Sequence, residues 1–234
     1  MLIGILGGKG FLGWEIGRIL AKKGHTCYCI DKDNYNEHTG LHFDVLINAN
    51  GNSKKFWANE NPNKDFKLSV QSVYDSIFEF TFDKYIYISS LDVFKDNPYG
   101  FNKLLAEDIV VRYCKSYHIL QCAAIIGKEM KKGILKDILE SKELFVTKDS
   151  VLQFITNTDI AEKIFYIMQS PRVCNTQMMA SSNTITVKEI GKLVGKELTI
   201  REDAERQIYN RVNESDSVLP LKFKTAEEYI GDVI

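Results

Sequence analysis

LIGILGGKGFLG, Leu2 to Gly13, decides how the rest of the chain is read. Leu2–Leu6 is an apolar run, as in a strand buried on both faces. Gly7-x-x-Gly10-x-x-Gly13 follows at once. Phe11–Lys23 then continues with helical periodicity and stops at Gly24, a residue suited to the position just past a helix end. Strand, glycine turn and helix in this order build an anion site. The first helical N–H groups, at Phe11 and Leu12, are free, and the helix dipole is positive there. Gly7 and Gly10 let the backbone approach a dinucleotide pyrophosphate, and Gly13 lets the helix pack near the strand. A purely structural glycine turn is the alternative; the strand–turn–helix setting weighs against it.

The next segments extend the pattern. Thr26–Ile30 is a second strand, ending at Asp31, 18 residues after Gly13. A carboxylate there can accept both hydroxyls of an adenosine ribose and repels a 2′-phosphate, which favours NAD over NADP. The alternatives are a turn cap at Asp31 and, through the adjacent Lys32, NADP. Val45–Ala49 is a third strand, and Asn48, Ala49 and Asn50 at its end can line the cofactor or form an ordinary turn. Further on come a helix from Asn61-Pro62 to Phe80, a strand at Tyr85–Ser89, a helix at Pro98–Tyr113 and a strand at Ile119–Ile126. This alternation implies an α/β protein, a parallel sheet covered on both faces.

After Gly127 the pattern changes. Short helices are expected at Ile134–Glu140, Val187–Val194, Asp203–Ile208 and Ala226–Val233, with strands at Phe145–Thr147 and Gln177–Ala180. Another helix starts near Asp159, where Asp159 and Glu162 suit a capping box. No linker separates these segments from the rest. The expectation is one compact unit over 1–234. A dinucleotide-binding core spans 1–126 and 158–182, and a small substrate lobe spans 127–157 and 183–234.

Composition sets outer limits. The chain has 234 residues, 44 % hydrophobic and 26 % charged, with a formal net charge of −1. With no basic run, nothing favours a nucleic-acid partner. No apolar stretch approaches the roughly 20 residues of a membrane span, and the first residues lack the basic leader of a signal peptide. A cytoplasmic protein without a membrane partner is expected. The five cysteines are odd in number and scattered, which argues for reduced thiols. His38 and His42 beside Asp44 are read as a solvated loop, so no metal site is expected.

The stretch SSLDVFKDNPYGFNKLLAE, Ser89 to Glu107, carries the candidate chemistry. Asn97 suits a helix cap and Pro98 the first helical position. Tyr99 and Lys103 are then i and i+4 on one face. The serines close the preceding strand at its carboxyl end, where α/β sheets place ligands, so Ser90, Tyr99 and Lys103 can converge. A phenol, with a pKa of about 10, is a poor base near neutrality; a nearby ammonium and an oxidised nicotinamide favour its phenolate. Tyrosine can then exchange a hydroxyl proton while hydride moves to or from the cofactor.

Together these motifs resemble the extended short-chain dehydrogenase/reductase family, the NAD-dependent epimerase/dehydratase group acting largely on nucleotide sugars. The matching pieces are GGKGFLG, Asp31, DVLINANG, NPNKDF, YIYISSLDVF, PYGFNKLLAE and FITNTDIAEKI, across most of residues 1–165. The resemblance implies a Rossmann-like doubly wound sheet with a small C-terminal substrate lobe. It makes Tyr99 the acid/base, Lys103 the ribose-binding and tuning lysine, and Ser90 the substrate-orienting hydroxyl. It implies an NAD-dependent epimerase or ketoreductase acting on a sugar or nucleotide sugar. Independently of the resemblance, helices on the sheet's flank, such as Pro98–Tyr113, could pair in a homodimer.

The chain also departs from the family. Only 12 residues separate Asp31 from Asp44, so a usual outer strand and its helix should be missing. Ser69 stands at a frequent asparagine position, and Gln121 and Ala124 replace an arginine and an asparagine. Leu91 and Asp92 replace the acid pair of sugar dehydratases, which argues against 4,6-dehydration. These changes support an alternative: a cofactor-binding regulator or scaffold without turnover.

Overall fold

The computed structural model describes residues 1–171, 174–211 and 222–234. From the N-terminus run β1 (Leu2–Leu6), α1 (Phe11–Lys22), β2 (Thr26–Ile30), a single turn α2 (Tyr35–His38) and β3 (His42–Asn48). Next come α3 (Lys55–Glu60), α4 (Pro62–Phe66), a π turn (Lys67–Gln71), α5 (Ser72–Glu79) and β4 (Thr81–Ser90). A 3-10 turn (Leu91–Phe94) leads to α6 (Pro98–Tyr113), β5 (Tyr117–Cys122) and β6 (Ala124–Ile126). Then follow α7 (Ile134–Leu139), β7 (Leu144–Val146), β8 (Val151–Leu152), β9 (Phe154–Thr156), α8 (Asn157–Gln169) and β10 (Cys174–Met179). The described chain ends through β11 (Ile185–Thr186), α9 (Val187–Leu193), β12 (Ile200–Glu205) and α10 (Ala226–Gly231).

Six strands form the main sheet in the order β10-β5-β4-β3-β1-β2. The pairs β1–β2, β1–β3 and β3–β4 are parallel, with Ile5 opposite both Cys29 and Ile47. This is the doubly wound α/β fold expected from the alternation of elements. Ile3, Ile5, Leu46, Ile47, Tyr85 and Tyr87 are fully buried. Removing one such aliphatic side chain from water stabilises the fold by about 1.5–3 kcal/mol. On one face Leu46, Tyr85, Tyr87 and Ile119 pack with Val73 and Ile77 of α5 and with Ala106 and Val110 of α6. On β4, Lys84 is buried, and its ammonium donates to the carbonyls of Ile167, Met168 and Ser170 at 3.1, 3.3 and 2.8 Å. It thereby satisfies the open end of α8, where a cation also meets the negative pole of the helix.

Contacts divide the chain into two units, 1–121 with 160–178, and 122–159 with 179–234. Within the second, β6 pairs in parallel with β9, β7 with β12, and β8 antiparallel with β11. There α10 begins with a capping box at Thr225 and Glu228, and its Tyr229 hydroxyl donates to Asp159 at 2.5 Å.

Several local expectations are corrected. Asp203–Ile208 is not a helix. Ile200–Glu205 pairs as a strand with β7, and Ile208 bridges Val151, so pairing overrides the helix propensity of Ala204, Glu205, Arg206 and Gln207. Ile119–Ile126 is two strands broken at Ala123, which turns away to donate its N–H to Met179 O at 2.9 Å. Helix α8 starts at Asn157, two residues before Asp159, and the Asp159 N–H bonds Thr156 Oγ1 at 3.1 Å, so Thr156 caps the helix. The helix placed from Asn61 to Phe80 is interrupted by the π turn and preceded by α3. The segment around His38 and His42 is not all loop, since His38 ends α2 and His42 opens β3. Between Asp31 and Asp44 there is one helical turn and the start of β3, and β2 is the sheet edge, as the short crossover requires.

Candidate functional site

Gly7 has φ +75°, a backbone state that L side chains rarely adopt. Its N–H donates to Ile30 O at 2.8 Å, so the loop turns over the end of β2. A Cβ on Gly13 would overlap the Gly7 carbonyl, so only glycine lets α1 sit this close to the turn. Gly10 is the N-cap of α1 and offers no side-chain cap, which leaves the N–H groups at Phe11 and Leu12 directed toward the turn. Leu12 is buried, while Phe11 is exposed. The uncapped N–H groups at the start of α1, beside a turn built of glycines, suit a phosphate group.

Asp31 follows β2 as expected, but a residue not singled out from the sequence meets it there. Lys9, inside the glycine loop, pairs with Asp31 at 2.6 Å. The hydrogen bond from Lys9 is the first cause holding the Asp31 carboxyl below its usual range, followed by the Asp33 N–H. Lys32 is exposed beside it. The signal for Lys9 was its place between two loop glycines, at the level where β2 ends.

At the end of β3 the three predicted residues separate. Asn48 is buried, and its side chain donates to Tyr85 Oη at 2.8 Å and accepts from the Asn50 N–H at 3.0 Å. That side chain braces the sheet. Ala49 donates to Leu6 O at 3.0 Å, and its carbonyl lies 3.0 Å from where a Gly7 Cβ would stand. The backbone of Ala49 and Asn50 thus lines the glycine loop. Gly51, at φ +124°, then brings the chain to Lys103: a Cβ there would lie 3.4 Å from Lys103 Nζ.

Asn97 caps α6 by accepting the Gly100 N–H at 2.8 Å, with Pro98 next, as the sequence indicates. Tyr99 and Lys103 are both buried. The Lys103 ammonium donates to Ile88 O at 3.2 Å and lies 5.1 Å from the Tyr87 ring centroid. It therefore sits at the carboxyl end of β4, two residues before Ser90. The two serines face different partners. Ser89 Oγ donates to Glu107 at 2.5 Å, and Gln121 Nε2 donates to both oxygens of that carboxylate at 3.1 and 2.9 Å. Gln121 thus answers Glu107 with an amide. Burial raises the Glu107 carboxyl above its usual range, opposed by Ser89, Gln121 and Lys103. Ser90 Oγ accepts the Asp92 N–H at 3.2 Å and caps the 3-10 turn. Asp92 is itself held by Lys55 Nζ at 2.8 Å. Burial, then Tyr99, Tyr85, Glu107 and Asp65, pushes the Tyr87 phenol well above its usual range, so these groups share one electrostatic neighbourhood.

No family model and no curated protein matches the sequence. Solved structures do match in fold over essentially the whole chain. MoeE5 in complex with UDP-glucose and NAD superposes with a TM-score of 0.83 at 13 % identity, covering 99 % of this chain and 97 % of that one. The dTDP-4-dehydrorhamnose reductase of Bacillus anthracis, in complex with NADP, gives 0.82 at 17 %, covering 98 % and 95 %. The UDP-glucose 4-epimerase of Thermotoga maritima, with UDP-glucose, gives 0.75 at 15 %, covering 100 % and 97 %. The chain shares the fold of these epimerases and reductases, the architecture that the sequence resemblance implies.

Proposed function

We propose that the protein is an NAD-dependent epimerase or ketoreductase acting on a hydroxyl or keto group of a sugar or nucleotide sugar. One observation carries this reading. The buried ammonium of Lys103 stands at the end of β4, beside the Gly51 loop, one helical turn from Tyr99. A buried lysine is costly unless it serves a partner or a ligand. The glycine loop and the N-terminus of α1 would hold the pyrophosphate, with Gly7, Gly10, Phe11, Leu12 and Gly13 contributing backbone. Asp31 would accept ribose hydroxyls, and Ala49 and Asn50 would flank the loop. Structures with this fold have been solved with NAD, NADP and UDP-glucose.

When bound, the nicotinamide supplies the hydride acceptor or donor. Tyr99 takes or returns the proton at the reacting hydroxyl oxygen, and Ser90 orients that oxygen. Lys103 holds a ribose hydroxyl and stabilises negative charge on Tyr99. Asp31 favours NAD, although Lys9 already neutralises much of its charge, so the preference over NADP is modest.

The test is to denature the purified protein and identify the released nucleotide. Retained NAD supports an epimerase, which regenerates its cofactor in each cycle. An empty site that binds NADH and reduces ketosugars supports a reductase. A protein that binds neither NAD nor NADP refutes the reading.

A further inference from the structure

Asp65 is fully buried, and its carboxylate is hydrogen-bonded from three separate segments. Asn52 Nδ2 donates to Oδ1 at 2.8 Å, Ser69 Oγ to the same oxygen at 3.2 Å, and Asn102 Nδ2 to Oδ2 at 2.6 Å. All three donors are neutral. A buried carboxylate in such surroundings costs more than an apolar side chain of the same size, so packing alone does not account for it. What the three donors share is their position. Asn52 lies in the loop after β3, Ser69 in the π turn, and Asn102 directly before Lys103 on α6. These segments also enclose the Lys103 ammonium: a Cβ on Gly51 would lie 3.4 Å from Lys103 Nζ, 3.7 Å from Leu68 O and 3.9 Å from Ser69 Oγ. The π turn that presents Ser69 is a form that recurs at functional sites.

We propose that Asp65 is a positioning residue that clamps the 50–53 loop against Lys103 and so fixes the wall on which the cofactor ribose rests. This rests on the dinucleotide reading above. Asp65 touches no reacting atom; it acts through Asn52 and Asn102. Without the clamp the loop keeps its covalent path but loses its register against α6, and bound cofactor must order it again.

The test measures NAD affinity by calorimetry and thermal unfolding for the wild type, Asn52→Ala, Asp65→Ala and Asp65→Asn. Asn52→Ala cuts the loop arm at a half-buried residue, together with the two bonds its side chain makes to the Lys54 backbone. Its melting temperature should fall less than that of Asp65→Ala, while NAD affinity falls by about 10-fold, the scale of one hydrogen bond to a charged group. Asp65→Asn can keep all three bonds if the Asn102 amide turns over, so it should restore affinity that Asp65→Ala loses. Should Asp65→Ala fail to fold, Asn52→Ala decides alone. Wild-type affinity in Asn52→Ala, or losses that follow the melting temperature across the set, would overturn the proposal. A wild type that binds neither NAD nor NADP would instead overturn the functional reading, and this one with it.

Discussion

Replacing His118 with leucine should remove a measurable part of the protein's sensitivity to mild acid. His118 lies on β5, is 1 % exposed, and neither ring nitrogen has a hydrogen-bond partner among the described residues. Burial, and then the Lys84 ammonium, lowers its pKa from 6.5 to about 4. The folded state therefore keeps the ring neutral in a window where the unfolded chain binds a proton. Above the unfolded value, near 6.5, the linkage has no effect. As the pH falls from there toward 4, the unfolded state gains a proton that the folded state refuses, and stability drops. The gap of about 2.5 pH units, at about 1.36 kcal/mol each, gives about 3 kcal/mol across the window. Urea unfolding of wild type and His118→Leu, at several pH values from about 7.5 to about 4, isolates this contribution, because carboxylate effects cancel in the difference. The wild type should lose about 3 kcal/mol relative to the variant as pH falls. A difference between the two that stays constant over that range refutes the assignment.

Tyr99→Phe should leave NAD affinity almost unchanged and lower turnover by roughly 10²–10⁴-fold, whereas Lys103→Met should weaken both; steady-state kinetics with a ketosugar beside NAD titration separates the two. Wild-type turnover in Tyr99→Phe would reduce the opening turn of α6 to a helix surface. Lys9→Ala should leave Asp31 uncompensated and widen the preference for NAD over NADP, while Asp31→Ala frees Lys9 for a 2′-phosphate and should reverse it, both read by calorimetry. Tyr74, Phe78 and Tyr113 are 43 %, 56 % and 45 % exposed and stack with ring centroids 4.6–5.7 Å apart on α5 and α6. We expect this aromatic surface to pair two copies of the chain, so Phe78→Ser with Tyr113→Ser should sediment as a monomer; a monomeric wild type would count against it.

The parts of the fold that local backbone chemistry dictates were readable in the sequence. Gly13 occupies a position that no side chain fits, Gly7 one where a side chain would be strained, and Asn97-Pro98 places α6 to the residue. Partnerships across long separations were not readable. Asp65 collects donors 13 residues before it and 37 after it, and nothing at either end announces the other. Lys9 shows the same limit, since its partner Asp31 stands at the end of the neighbouring strand. Strand β12 was missed because its residues, IREDAE, favour a helix until β7 is beside them.

The lysine inside the sheet has a consequence for how the molecule breathes. Lys84 joins the start of β4 to the last carbonyls of α8, more than eighty residues away in sequence. If the final turn of α8 frayed alone, a buried ammonium would be left with no acceptor, a state far costlier than an ordinary frayed helix end. Amide hydrogens at the end of α8 should therefore exchange with solvent only as slowly as those of β4, the two opening together as one cooperative unit. In Lys84→Met that coupling is gone, and the last turn of α8 should exchange fast while the strand stays protected.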